Sequence, residues 1–476
     1  MSKSFRLALL GLVCGLLCMT QNALAAKPDY VVSLSSVAQA QSDILGAIAK
    51  IDPQSGMMAQ VFLAPGGPIV PPGLGTKSPV GLAGLLGRDT PDNIIFGPCD
   101  NFKILKVWFE SKKKDGSFPE EAIIVEKGKN FVIMRENTAL DIPEDPTELL
   151  GSLPSKYLVA VRCTNPAALT ESFVALAKNA PGAEADPEQI RKSLADMESI
   201  QLGWNVINGG DFLLNVVSVA KEGSQAAADL SKTVALKSFL SGFYRDDADA
   251  GLQVRAVLDE KARDVLKTQL AQVQDETAKA LLESVFLGEK IDLAYSFSEN
   301  DGQVEGIFAC SLADGKAFLE ALKDAIPEDS VKWNVGKIGK SFAIHKLSFP
   351  SGESCTLATN PKYVFLAVGM GDSEAALRAT IQKTSKAPMR PEPFVGHLDA
   401  KMAGAIPSVP ADLEKSGKVR SKATITGNTV NFALLIENDL IRTGFAIYKN
   451  AMSGSDDASG ELEDGSDEGF ESDEDE

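Results

Sequence analysis

The chain has 476 residues, 44% of them apolar, with 47 Lys and Arg against 65 Asp and Glu and a net charge of −18. That balance lacks the basic footprint of a nucleic-acid binder, and an anionic membrane surface would repel it. The length exceeds what one hydrophobic core usually serves, so two domains are expected.

The first 25 residues read as a secretory leader rather than as part of the fold. Lys3 and Arg6 make a basic start, Leu7–Cys18 is a twelve-residue apolar run, and Ala23-Leu24-Ala25 supplies a small-x-small cleavage site between Ala25 and Ala26. Twelve residues are too few to span a bilayer, which takes about 20. A lipid-anchored reading fails on sterics, because Leu17 precedes Cys18 and Val13 precedes Cys14 where a small residue is required. The expectation is a secreted or periplasmic protein with no membrane span. Removing Lys3 and Arg6 takes the net charge of −18 to −20, and twelve of those charges sit in Ser453–Glu476.

Taken in order, Tyr30–Leu34 reads as a strand, and Ala38–Ile51 as a helix with Ile44, Leu45 and Ile48 on one side. Ala64–Ser78, rich in Pro and Gly, is a loop. Val80–Leu86 and Ile94–Phe96 read as strands, and Asn101–Ser111 as a helix presenting Phe102, Leu105 and Phe109. Ala122–Val125 and Phe131–Met134 form a hairpin about Lys127-Gly128-Lys129-Asn130; a second hairpin, Trp204–Val219, turns at Asn208-Gly209-Gly210. Asp259–Leu287 carries a helical pattern without Gly or Pro. Gly302–Lys383 then repeats the earlier plan: strand Val304–Cys310, helix Asp314–Ile326 with Phe318, Leu319 and Leu322 inward, strands at Val331–Val335, Phe342–Leu347 and Tyr363–Val368, and helix Ser373–Lys383. Lys422–Ile436, turning at Gly427-Asn428, matches the earlier long hairpin.

These correspondences predict an α+β fold of two tandem repeated halves, each a mostly antiparallel sheet with helices on one face. The boundaries are a leader at 1–25, a first half at 26–258, a connecting long helix at 259–290, a second half at 291–452, and an acidic tail at 453–476. The tail has Phe470 as its only aromatic residue, and its composition is that of a disordered segment. It is suited to touching basic surfaces or binding calcium weakly, but no window keeps the spacing of an EF-hand loop.

A resemblance rests on three stretches. Lys27-Pro-Asp-Tyr-Val-Val-Ser-Leu34, Asp145-Pro-Thr-Glu-Leu-Leu-Gly-Ser-Leu153 ahead of the strand Tyr157–Val161, and Ala220-Lys-Glu-Gly-Ser-Gln-Ala-Ala-Ala228 resemble a family of uncharacterised secreted proteins of planctomycete bacteria. The likeness covers most of Lys27–Lys449. It implies an exported α+β protein and supplies no site.

Signatures of chemistry are weak. Gly336-Lys-Ile-Gly-Lys-Ser341 suggests a phosphate loop, but the required upstream glycine is Asn334 and the segment lies between two strands, so it reads as a hairpin turn. The only histidines, His345 and His397, lie in strand patterns without partners at metal-ligand spacing, and no Gly-x-Ser-x-Gly elbow presents a nucleophile. The carboxylates at Asp246-Asp247, Asp249, Glu120-Glu121 and Glu144-Asp145 fall in turns or on polar faces. Of the four cysteines beyond the leader, disulfides, if formed, pair Cys310 with Cys355 and Cys99 with Cys163, one within each half; buried free thiols are the alternative. No catalytic residue, cofactor or metal site is assigned. The reading is a non-enzymatic binding or interaction protein of the cell envelope, with an unknown envelope protein as partner. A carrier holding an apolar ligand, a lipid or acyl chain, between sheet and helices is the alternative, and a carboxylate-dependent hydrolase the third.

One outcome follows for the tail. Deleting Ser453–Glu476 is expected to leave the thermal midpoint within about 2 °C of the full chain, because a segment outside any core contributes little. Differential scanning calorimetry of the two proteins checks it.

Overall fold

In the computed structural model, eighteen strands among the described residues join edge to edge into one antiparallel sheet. The structure describes residues 26–445 apart from 54, 58–59, 61–69, 87–91, 172–173, 176–186, 239, 301–302, 340, 349–353, 370, 385–389 and 400–416. The leader and the acidic tail therefore lie outside the described residues.

The strands are β1 Tyr30–Leu34, β2 Val80–Leu85, β3 Asp92–Pro98, β4 Ala122–Lys127, β5 Asn130–Arg135 and β6 Val159–Cys163. There follow β7 Met197–Ile207, β8 Asp211–Ala220, β9 Ala250–Val257, β10 Lys290–Asn300, β11 Gln303–Ser311 and β12 Val331–Ile338. The last are β13 Phe342–Ser348, β14 Ser354–Asn360, β15 Tyr363–Val368, β16 Phe394–Asp399, β17 Lys418–Thr426 and β18 Thr429–Ile436. The helices are α1 Val37–Ile51, α2 Phe102–Lys114, α3 Leu153–Lys156, α4 Pro187–Ala195, α5 Gln225–Ala235, α6 Glu260–Leu270, α7 Glu276–Phe286, α8 Gly315–Ala325 and α9 Ser373–Thr384. Short polar side chains fix where six of them start. Ser36, Asn101, Ser224, Asp259, Asp275 and Asp314 each accept a hydrogen bond from a backbone N–H of the first turn.

Strand order across the sheet is β4–β5–β3–β2–β1–β6–β7–β8–β18–β17–β16–β9–β10–β11–β15–β14–β13–β12. The seam between β8 and β18 runs in register from Phe212↔Ile436 to Val219↔Thr429. Each arm, read outward from that seam, passes through a long hairpin, a strand before the hairpin, the first strand of the arm, and then two strands that lead into a capped helix, α2 or α8.

Helices cover both faces of the sheet, not one. On the front face α2 buries Leu105 and Phe109 against Ile124, Phe131 and Ile133, while α8 buries Phe318 against Cys310, Leu357 and Val364. On the back, α3 and the turn Pro146–Leu150 bring Leu153 and Leu150 onto Ile94, Phe96 and Val132. At the other arm, α9 and the turn Leu240–Phe243 bring Leu377, Leu240 and Phe243 onto Ile307, Ala309 and Phe365. The sequence reason is visible in the strands: Ile94 and Ile95 are both apolar, as are Ile307 and Phe308, so adjacent residues demand cover on opposite faces.

The long pattern at 259–290 is two helices, α6 and α7, because Asp275 caps a new start after Val273-Gln274. β9, which precedes them, pairs with β10 and β16, so this strand belongs to the second arm although it lies before residue 258. Cys99 and Cys310 do not hold equivalent strand ends. Cys99 N–H donates to Lys129 O just as Leu312 N–H donates to Lys362 O, which puts Cys310 level with Gly97. From those bonds Asn101 and Asp314 each cap a helix two residues on.

Phe109 is fully buried in the front core of the first arm, whereas Phe102 is half-buried beside it. Phe109→Ala should cost about 3–5 kcal/mol in urea unfolding, and Phe102→Ala clearly less, since the cost scales with the void left behind.

Candidate functional site

Under α7 and α8 the front face does not close. An apolar cavity of about 880 Å³ lies between the two helices and strands β10, β11, β13, β14 and β15. Leu282, Val285 and Phe286 of α7 and Phe318 and Leu322 of α8 form its roof. Its floor is Leu293, Phe308, Leu357 and Leu366, with the thiols of Cys310 and Cys355 and the branched side chains of Val364 and Val368 between them. No charged side chain lines it.

The roof is held by backbone bonds rather than by filling. The Ser284 carbonyl, in the last turn of α7, accepts from both Ala313 N–H (2.7 Å) and Asp314 N–H (3.2 Å), so α7 docks onto the start of α8. Those carbonyls have no partner within their own helix, and the next segment supplies one. Gly315 makes the close approach possible: a Cβ there would come 2.7 Å from the Pro361 backbone in the β14–β15 turn. Asp314 caps α8 through Lys316 and Ala317 N–H and fixes its direction over the floor.

Burial raises both thiols of the cavity. It pushes Cys310 up to about 12, with the nearby Asp292 carboxylate adding to the effect, and Cys355 up to about 12. At neutral pH both stay protonated and behave as small apolar groups. The four described cysteines are free, the alternative that the sequence left open. The expected pairs are not made, for a reason of register. Cys310 is level with Val364 and Cys355 with Val368, on opposite sides of β15. Two strand spacings alone are about 10 Å, beyond the roughly 7 Å that a disulfide tolerates between Cα atoms. Cys99 and Cys163 stand three strands apart, with β2 and β1 between β3 and β6.

His345 flanks the floor on the same face, in β13. Its Nδ1 accepts from Asn334 N–H (3.1 Å), so Nε2 carries the proton and donates to Thr359 Oγ1 (3.0 Å). Asn334, at φ +55°, sits in an irregularity of β12 that turns its N–H inward. The Trp333 ring stands edge-on to the imidazole at 5.0 Å, and Lys323 of α8 lies over that ring. His397 is held likewise: Nε2 donates to Ala248 O and Nδ1 takes the Tyr244 hydroxyl, each at 2.9 Å. Desolvation is the first cause that lowers the pKa of either ring; Lys323 adds to it at His345.

The carboxylates singled out in the sequence are dispersed. Asp246 pairs with Arg390, Asp247 with Arg245 and Glu121 with Arg135, while Asp249 accepts from Glu299 N–H and Asp145 caps the Pro146–Leu150 turn. Among the described residues, no group of three or more His, Cys, Asp or Glu side chains lies placed to hold a metal ion. No described helix is long and apolar enough to cross a membrane. Gly339 lies in the tight turn between β12 and β13, at φ +60°. Of the cavity residues, the sequence pointed to Phe318, Leu322 and the two cysteines; it missed the contribution of α7. A signal existed in Leu281-Leu282 and Val285-Phe286, an apolar arc too wide for one packing contact.

No protein-family model, no curated protein and no solved structure matches the chain.

Both histidines are neutral in the fold and lie below the ordinary value of 6.5, so the unfolded chain binds more protons just beneath that pH. Their stabilisation is complete above about pH 7 and is lost as the pH falls through 6.5 toward the folded values. Urea midpoints should therefore drop between about pH 7.5 and pH 5, and a His345→Gln/His397→Gln protein should show a flatter profile over the same window.

Proposed function

We propose that the chain is an exported binding protein that holds an apolar ligand, an acyl chain or lipid tail, under α7 and α8. The observation that carries this reading is the cavity itself. A volume of about 880 Å³ lined by fourteen apolar or thiol side chains falls within the roughly 300–1,000 Å³ of ordinary ligand sites. A site without a fixed charge favours hydrocarbon over any ionised group, which would lose its hydration there. The neutral thiols and committed carboxylates offer no paired acid and base, so binding is favoured over hydrolysis. Export, and an envelope location, are taken from the leader at Met1–Ala25.

We further propose that the two arms are copies of one unit, and that only the second keeps the ligand space. Counted from the helix caps, Trp108 and Phe109 of α2 correspond to Ala321 and Leu322 of α8. In the first arm Phe118 packs on both aromatic rings, 4.9 Å from Phe109 and 6.1 Å from Trp108 between centroids. Where one arm carries those bulky rings, the other carries a methyl and an isobutyl group beside a hollow. A core lacking ligand would gain by closing such a hollow.

Ala321→Trp/Leu322→Phe, which copies the first arm into the second, is expected to weaken binding of a fluorescent long-chain fatty acid at least tenfold, about 1.4 kcal/mol. The thermal midpoint should hold or rise. Equal affinity in the variant, or no binding by the parent chain, would refute the reading.

A further inference from the structure

Beside the cavity, β9 and the floor strand β10 carry a polar arrangement on their back face. Asp292 of β10 stands directly opposite Arg255 of β9, and Gln253 lies two residues along on the same side. The three are 2%, 3% and 0% exposed. Two bonds reach them from the covering segments: Ser238 Oγ donates to Asp292 Oδ1 (2.7 Å), and Arg255 Nη2 donates to Pro391 O (2.9 Å). The remaining polar atoms are Asp292 Oδ2, Arg255 Nε and Nη1, and both amide atoms of Gln253, and none has a partner. Among the described residues nine buried side-chain atoms lack one, and five of the nine belong to these three neighbours.

Clustering of that kind marks a site, because buried polar groups in proteins are almost always paired with protein or ordered water. The chemistry of the leftover atoms limits what can pair with them. A free anion would meet the Asp292 carboxylate, and a cation would meet the guanidinium. Arg255 offers only donors, Asp292 Oδ2 only acceptor lone pairs, and the Gln253 amide offers both. The occupant must donate and accept in a small space while adding no net charge. We propose that Gln253, Arg255 and Asp292 enclose an internal hydration site, in which ordered water joins the guanidinium to the free carboxylate oxygen and to the Gln253 amide. Water with two to four polar partners is a stable structural component of a fold. Here it ties the covers at Ser238 and Pro391 to β9 and β10, whose front-face neighbour Leu293 walls the cavity. Burial disfavours the charged form of each partner, lowering the Arg255 pKa and raising that of Asp292, and a bridging water would return part of the solvation that burial removes.

A high-resolution crystal structure of the full chain tests the site directly. The expected result is at least one ordered water within hydrogen-bonding distance of Asp292 Oδ2 and of Arg255 Nε or Nη1. A dry contact in which the guanidinium swings onto Oδ2, or density that refines as a metal or an anion, would overturn it. In solution, the Gln253 side-chain amide protons should show a magnetisation-transfer cross-peak to a long-lived water, and Arg255→Met/Asp292→Leu should abolish it. If that double variant fails to fold, the parent protein still decides: absence of the cross-peak there sinks the proposal.

Discussion

The structure depends on one constraint, an antiparallel ladder whose central row runs unbroken from β4 to β15. A single row shows it: Ile124, Ile133, Ile95, Leu82, Val32, Val161, Leu202 and Val216 are successive cross-strand partners up to the seam. Phe432, Ala423, Phe394, Val254, Leu293, Cys310 and Val364 continue it on the far side. Because strand side chains alternate with period two, a one-residue slip at any joint would send everything beyond it to the wrong face. Fifteen consecutive apolar partners make such a slip costly, and the register is thereby fixed from β4 across to β15.

The face set by that row is also the face on which the arms diverge. Under α2 the space is occupied by Phe109, Trp108 and Phe118; under α8 the roof is Phe318 and Leu322, and α7 is drawn in by the Ser284 carbonyl to complete it. The same ladder thus supports a filled core at one end and a hollow at the other. Back-face packing lets the hollow persist: Phe365, Ile307 and Ala309 are covered by Leu377, Leu240 and Phe243, with the Phe243 and Phe365 rings stacked 5.1 Å apart. The floor of the cavity is anchored from behind and does not need its front-face neighbours to be held in place.

Polar chemistry is arranged around this apolar frame. His345 and His397 each sit between a backbone group and a hydroxyl that together select one neutral tautomer, so both rings act as structural hydrogen-bonding units. Asp145, Asp246, Asp247, Asp249 and Glu121 are spent on a cap, ion pairs and a backbone N–H group. What remains without a protein partner is concentrated at Gln253, Arg255 and Asp292, one layer behind the cavity.

By itself the sequence determined what local rules decide. Turn residues such as Asn208-Gly209 and Gly427, capping residues such as Asn101 and Asp314, and alternating strands gave the two strand–helix steps and the turns of both long hairpins, although the first hairpin begins at Met197, well before the expected Trp204. It also located the inward faces of α2 and α8. Tertiary structure decided the rest. Whether arms form two sheets or one depends on Phe212 meeting Ile436, a contact more than two hundred residues apart in the chain that no local pattern encodes. The β14 strand, Ser354–Asn360, was passed over because burial on both faces hides the alternation that marks a half-exposed strand. Between disulfides and buried free thiols the sequence left the choice open, since spacing along the chain says nothing about the number of strands lying between two thiols. The cavity is the clearest case. It arises from what two distant helices fail to fill, and the volume left between side chains is a property of their packing rather than of any one segment.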